Sequence, residues 1–393
     1  MSSSNLELLA AIKETVYGVT PAVGDFSTIR YTSETLSGNP QTTASAEART
    51  DRASAGTLLT GLEVTGDINF ELSSSATSYK DFMLAAMMAP AWVAAVTSNS
   101  TFTIDNTLKT ITDTIPGTDL TTLFSVGDAL VITVGLGAVN LNKVVYVSAV
   151  TATNITYIGN LTNQTTIIGT VARPEYAEIG GGANTTKHSF SLEKKFQDLT
   201  LKAIDYLGAL VGGMNLSFEY GALATGSFTF NAQSWAVPAV PITNPPRVVT
   251  PADTDGPLNA SGDMAQIIID GTNQDLCFQN ISIELQNNLT PQTCLGLVSA
   301  KDFTPGAATI NVNASLYLGD ASFQYVSKKI TNTPISIFGA ATNADGGIAF
   351  SLPSVLLNSP DPQSGGANQT ISLNLTGSTK APATGSQFRL YWI

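Results

Sequence analysis

Polar and apolar residues alternate along most of this chain, and the alternation marks its strands. From Gly61 to Leu72, the residues Leu62, Val64, Ile68, Phe70 and Leu72 fall on one face, and Glu63, Thr65, Asp67, Asn69 and Glu71 on the other. One face is core and the other is wet. The same period of two recurs in Met214–Tyr220, where Met214, Leu216, Phe218 and Tyr220 oppose Asn215, Ser217 and Glu219, and again in Gly226–Asn231 and Ile371–Leu375. Helical spacing is confined to the first dozen residues, to Ser78–Met88 and to the Phe323 segment. The most apolar stretch, Phe82–Val96, is shorter than the roughly 20 residues a bilayer requires and contains Pro90. It predicts a short buried helix followed by extended chain, and no membrane insertion.

One order of elements occurs twice, about 250 residues apart. The first copy runs from a strand at Ile29–Leu36 through a long polar loop, Ser37–Thr60, to the strand Gly61–Leu72 and a helix from Ser78. The second runs from Ile281–Leu285 through the loop Gln286–Pro305 to Ala308–Tyr317 and a helix at Asp320–Tyr325. There the helix leads through Lys328 and Lys329 directly to Ile335–Phe338, whereas in the first copy roughly 90 residues intervene before His188–Leu192. The intervening stretch has strands of its own at Thr101–Ile104, Ala129–Val134, Val144–Val150, Ile155–Ile158 and Thr166–Val171, and closes on Gly180, Gly181 and Gly182.

The expected organisation is all-β. Residues 1–97 and 180–240 form a discontinuous first module, 98–179 an inserted small β-domain, and 241–393 a second module. Pro238–Pro257, rich in Pro, Thr, Asp and Asn, reads as an exposed linker or long loop. A duplicated β-unit points to a self-complementary building block rather than to a catalyst.

Composition narrows the function further. Of 393 residues, 43% are apolar and only 12% charged, so Thr, Ser, Asn and Gln make up much of the polar surface. The net charge is −12 and no cationic run interleaves with aromatics, which argues against affinity for nucleic-acid phosphates. The N-terminus lacks a basic region and carries Glu7 and Glu14, unlike a secretory signal. Cys277 and Cys294 are too few for a disulfide framework or a thiolate zinc site, and read as two small buried residues.

Candidate chemistry is sparse. The one histidine, His188, lies in an alternating strand and reads as structural. Asp253–Gly256 and Asn343–Gly347 look like fragments of calcium loops, but neither continues to a bidentate acid, and turn chemistry explains both. No catalytic residue, metal site or cofactor is therefore expected. Glu63, Asp67 and Glu71 stand at every fourth position of one strand, which makes a row of carboxylates on its polar side. An ordinary solvated face has the same appearance from a single strand.

Several segments resemble one family in order and spacing: Glu14–Pro21, Ile29–Glu34, Ala46–Arg52, Gly66–Leu72, Asn280–Asn288 and Ile348–Pro353. Together they resemble the tail tube proteins (major tail proteins) of long, non-contractile tailed bacteriophages. The likeness spans both modules and omits the insertion.

The resemblance implies two tandem β-sandwich or half-barrel modules, each with a short flanking helix, joined edge to edge into rings that stack as a hollow tube. It implies a structural virion protein assembled in the host cytoplasm, with itself, a tape measure protein and tail terminator or tip proteins as partners. DNA would pass through the lumen without specific binding. Two modules per chain imply a trimeric, pseudo-hexameric ring, with a true hexamer as the alternative. In this setting Glu63, Asp67, Asn69 and Glu71 of the first module, with Asn311, Asn313 and Ser315 of the second, would face the lumen. Glu47, Arg49, Asp51 and Arg52 would sit on a loop that reaches the next ring, and the insertion would project outward.

A rival reading is a carbohydrate-binding β-sandwich adhesin of a virion or cell surface. It needs an aromatic platform, and Trp92, Trp235 and Trp392 are scattered in sequence. A glycosidase is more distant, since no acid pair stands apart from strand and turn roles.

Overall fold

A computed structural model describes the chain apart from residues 1–2, 4–5, 48–55, 74–76, 116, 118, 136–138, 182–183, 245–246, 272–275, 360, 363–365 and 383–385. The fold is all-β, with two α-helices among the described residues: α1 (Thr77–Ala86) and α2 (Asp320–Thr331). The strands that frame it are β1 (Glu7–Lys13), β2 (Ser37–Ala44), β3 (Thr57–Glu71), β4 (Ser189–Phe196), β5 (Lys202–Glu219) and β6 (Thr225–Ala232) in the N-terminal half. In the C-terminal half they are β7 (Phe278–Gln286), β8 (Thr309–Tyr317), β9 (Ile335–Asn343), β10 (Gly346–Leu357), β11 (Ser372–Thr379) and β12 (Arg389–Trp392).

Eight of these hydrogen-bond in the order β2–β3–β6–β5–β7–β8–β11–β10, every neighbour antiparallel. The two halves of the chain therefore share one layer. Their junction is β5 against β7, with Gly213 opposite Gln286 and Glu219 opposite Asn280. β5 is 18 residues long, and its register shifts let its first half pair with β4 while its second half pairs with β6. It thus passes from one layer to the other. β10 repeats the arrangement, pairing with β9 and β12 before its last residues reach β11.

The core lies between the layers. Ile68, Phe70, Leu216, Phe228 and Phe230 point into it from the shared layer, and all are buried. Tyr79 and Phe82, at i and i+3 on α1, meet them: Phe70 lies 4.5 Å from Tyr79 and 4.7 Å from Phe228, and Phe82 packs edge-on against Phe190 and Phe230. Each such aromatic burial stabilises the fold by about 1.5–3 kcal/mol. α2 is less apolar, burying Ser322 and Tyr325. It ends at Asn332 in the left-handed conformation after Lys328 and Lys329.

Between Val96 and Arg173 six strands close into a separate barrel around Phe102, Phe124, Val145 and Tyr157. It docks on the C-terminal half. Ala129, Val131, Val144 and Tyr146 pack on Phe338, Ala340, Ala349 and Tyr391, and the Tyr146 hydroxyl donates to Gly339 O at 2.6 Å. Beside them the buried Asp128 carboxylate receives Arg389 at 3.2 Å. The segment Glu175–Glu178 that follows leaves the barrel and pairs with β12.

Three sequence expectations are corrected. In place of an N-terminal helix, Glu7–Lys13 form a strand: β1 pairs along its whole length with β4 and with Ser27–Thr28 on its other side. A strand buried between neighbours reads as a continuous apolar run, which periodicity cannot separate from a helix. The described residues of Ser37–Thr60 are mostly a β-hairpin, β2 against the first half of β3, from Ser37 opposite Thr65 to Ala44 opposite Thr57. Cys277 and Cys294 are both exposed. Of the two readings of the segment after Pro238, the structure has the long loop: it is pinned to the N-terminal half, with Ile242 N, Thr243 N and Thr243 Oγ1 all donating to Glu193, and Val249 paired with Phe26.

Candidate functional site

The register of the shared layer brings the polar positions of both halves together in rows. Asn69 stands beside Ser227, then Asn215, Glu284, Asn311 and Ser378 across six strands. The adjacent row is Glu71, Thr225, Ser217, Ser282, Asn313 and Thr376, and Ser315 follows beside Asn280 and Asn374. Alternate rows carry the core, for example Ile68, Phe228, Met214, Leu285 and Ile310. Six of the seven sequence-chosen residues, Asp67, Asn69, Glu71, Asn311, Asn313 and Ser315, therefore share one face of one sheet. Glu63 lies further along β3, opposite Asn39, where the sheet becomes the hairpin.

This face is acidic and hydroxyl-rich. Asp67, Glu71, Glu219 and Glu284 occupy its positions on β3, β5 and β7, and no Lys or Arg occupies the polar-face positions of the eight strands. Local bonds order several of its groups: Thr229 Oγ1 donates to Asp67 at 2.6 Å, Asn69 to Ser33 Oγ at 3.0 Å, and Gln286 to Glu284 at 3.1 Å. Sequence reasoning did not include Glu219 and Glu284. The alternation of Met214–Tyr220 was the signal for Glu219, since it put that residue opposite the apolar positions.

Two hairpins flank the face. The first, β2 with the start of β3, exposes Leu58 and Leu59. Glu47 lies exposed near its tip, and Arg49, Asp51 and Arg52 fall outside the described residues. At its base the chain passes so close to Trp235 that a side chain on Gly38 would come within 2.8 Å of the indole. The second hairpin, Thr290–Gln292 with Asp302–Thr304, is folded over the N-terminal half. Leu62 N donates to Val298 O at 2.7 Å, Gln233 to Lys301 O at 2.9 Å, and Lys187 pairs with Asp302 at 2.6 Å. A groove of about 690 Å³ separates the hairpins, lined by Gln41, Leu62, Leu289, Leu295 and Phe303.

A phage tail tube protein family model matches residues 4–379. The chain belongs to the phage tail tube protein family. No curated protein matches it. As a tail tube protein it is a structural component of the bacteriophage virion tail, and no helix among the described residues is long and apolar enough to cross a membrane.

The remaining candidates take structural places in this tail tube protein. His188 is buried, with Nε2 2.7 Å from Ala89 O just after α1, and burial holds its pKa below the ordinary value. Asp253 and Asn343 accept from the backbone two residues on, Asp255 N at 3.0 Å and Asp345 N at 2.9 Å, which are Asx turns. Among the described residues no cluster of three or more His, Cys, Asp or Glu is placed to hold a metal. Folding does bring Trp92 and Trp392 together, edge-on at 6.2 Å. Lys80 lies over both rings and pairs with Glu175, so the rings form a packed corner rather than an open platform. Trp235 stands apart from them, at the base of the first hairpin.

Proposed function

We propose that this protein assembles, three chains to a ring, into the wall of the phage tail tube, and that the acidic sheet face lines the channel through which DNA leaves. The observation that carries the reading is the β5–β7 junction. One chain already joins two similar sheet units edge to edge, with the polar rows running through the joint. Repeating that junction between chains, the last strand β10 against the next chain's β2, removes the open edges of a sheet that is otherwise prone to uncontrolled pairing.

The dimensions suit the task. Eight strands per chain give twenty-four in a ring of three. With strands about 4.8 Å apart and tilted by about 40°, such a barrel is roughly 45–50 Å across at the backbone. Side chains reduce this to about 35–40 Å, wide enough for a duplex about 20 Å thick. Carboxylates on the wall repel phosphates, and short hydroxyl and amide side chains offer few lasting contacts.

In this reading residues 1–97 and 180–240 form one tube module and 241–393 the other, and the barrel within 98–179 projects from the outer wall, clear of lumen and stacking faces. The protein acts without cofactor and is not an enzyme. It meets its own copies in ring and stack, and the tape measure and terminal tail proteins within and at the ends of the tube.

Electron microscopy of the purified protein tests the assembly: tubes whose rings carry three outer barrels are expected, and six barrels per ring would overturn the trimer. For the channel, phage carrying Asp67→Lys and Glu71→Lys should assemble normal tails and release DNA more slowly. Unchanged release kinetics would refute the lining.

A further inference from the structure

The two hairpins carry one motif in two different settings. Asn39-Pro40-Gln41-Thr42-Thr43 heads the first, and Thr290-Pro291-Gln292-Thr293-Cys294 heads the second. The second is seated. At its base Asn287 is buried, and its side-chain amide donates to Ala86 O at the end of α1 (2.9 Å) and to Val211 O (3.1 Å), while its backbone N–H reaches Gly212 O. The hairpin then crosses the β5–β7 junction to bond Leu62 on β3. A neighbouring sheet unit is thereby clamped at its helix end and across its strands.

The first hairpin stands in the same place in its own unit but is not seated in this way. It runs straight on from the β2–β3 ladder, with Leu58 68% and Leu59 56% exposed. Its seat has a counterpart too. Aligning the buried pair Tyr79 and Phe82 of α1 with Ser322 and Tyr325 of α2 puts Ile330 at the position of Met87. Met87 is fully buried, whereas Ile330 is 84% exposed, and Phe323 on the same helix is 61% exposed. Within one chain, the end of α1 is bonded by the second hairpin's base, while the end of α2 leaves an apolar side chain in water.

We infer that the first hairpin of one chain seats on the C-terminal turn of α2 of a second copy, reproducing between chains the clamp that Asn287 and the second hairpin make within one. The occupant of the α2 surface is a neighbour in the same ring, because the internal clamp spans a side-by-side junction and not a stack. This rests on the ring reading above, and it gives the first hairpin a lateral role in addition to any contact between rings.

Disulfide trapping tests it. In a Cys277→Ser, Cys294→Ser background, Ser37→Cys at the base of the hairpin is combined with Ile330→Cys, and assembled protein is oxidised and run on a non-reducing gel. The expected result is a ladder that stops at the closed ring of three chains, absent from either single-cysteine protein. Rings visible by microscopy with no ladder would overturn the seating and leave the ring reading intact. A ladder that continues without limit would place the contact between rings and also overturn it. If the unsubstituted protein forms no rings, the ring reading fails and the seating with it. As a second measure, Ile330→Lys should leave the melting curve of the single chain unchanged and prevent ring closure. Rings that close normally with Lys at 330 would count against the seat.

Discussion

Replacing Asp205 with Asn should stabilise this protein at alkaline pH and have almost no effect in acid. Asp205 on β5 stands directly opposite Glu193 on β4, and both side chains are buried. Glu193 spends its acceptors on Ile242 and Thr243, while Asp205 Oδ1 has no hydrogen-bond partner. Loss of water, and then the neighbouring Glu193 charge, push Asp205 up to about 7. Lys194, next to Glu193 on β4, is paired with Glu7 and Glu34.

An unfolded Asp titrates near 3.9, so the folded chain holds this proton more tightly than the unfolded one. The stability it contributes is full below about pH 4 and is lost as pH rises through about 7. A gap of about three pH units corresponds to about 4 kcal/mol at most, and residual solvent screening reduces a working figure to about 2 kcal/mol. Asn mimics the protonated acid. In urea titrations read by tryptophan fluorescence, Asp205→Asn should match the parent at pH 4 and exceed it by about 2 kcal/mol at pH 8. Glu193→Gln is the contrasting case: the pH slope shrinks because the neighbouring charge is gone, but stability falls at every pH because one amide oxygen replaces a carboxylate holding three donors. A stability difference for Asp205→Asn that is constant from pH 4 to 8 would refute the account of a proton held on Asp205.

Other parts of the fold give separate expectations. Tyr146→Phe removes the hydroxyl that donates to Gly339 O from the barrel, which should cost about 1–2 kcal/mol and speed proteolytic release of residues 96–173. Equal protease lifetimes would argue against that hydroxyl as an anchor. Asn287→Ala leaves the carbonyls of Ala86 and Val211 without their donor in a buried site, and should lower the urea stability by about 2–3 kcal/mol. For His188, burial lowers the folded pKa below the unfolded value near 6.5, so stability present above that pH is lost as pH falls through the folded pKa. Its slope therefore opposes that of Asp205, and His188→Asn should flatten the acid limb of the melting-temperature profile.

The strands of the shared layer were legible because one face is wet and the other dry, so β3, β5, β6, β8 and β11 each print their period on the chain. α1 was legible for a related reason: Tyr79, Phe82, Met83 and Ala86 follow helical spacing and Pro90 ends the pattern. Long-range pairing has no such print. β1 is helix-like in sequence and becomes a strand only because β4 supplies seven partners. In the first hairpin, Ser37–Ala44 shows no alternation and Leu58 and Leu59 are adjacent, so no period of two separates a ladder from a loop. The segment after Pro238 has the composition of a linker and is fixed by one buried carboxylate, Glu193, more than 40 residues earlier in the chain. In the candidate site, alternation identified which face each polar residue takes. Only the register shows that Glu71 and Asn313, 242 positions apart, lie in one row.

In the proposed ring the duplication makes the two junctions unequal in a way that bears on control. The β5–β7 joint forms within one chain, at the high effective concentration that a covalent connection provides. In the proposed ring the joint at β2 would require a second molecule, and β2 would remain an open edge until assembly. Glu34 blunts that edge: one carboxylate oxygen accepts Leu36 N at 2.8 Å and the other pairs with Lys194, occupying a backbone donor at the head of the strand. The corresponding strand β7 carries Ile283 and Leu285 in a plain alternation and is already paired on both sides. In the proposed ring, a side chain that caps its own edge is needed only where a strand waits for a partner, and Glu34 stands at the head of the strand whose partner would be another chain.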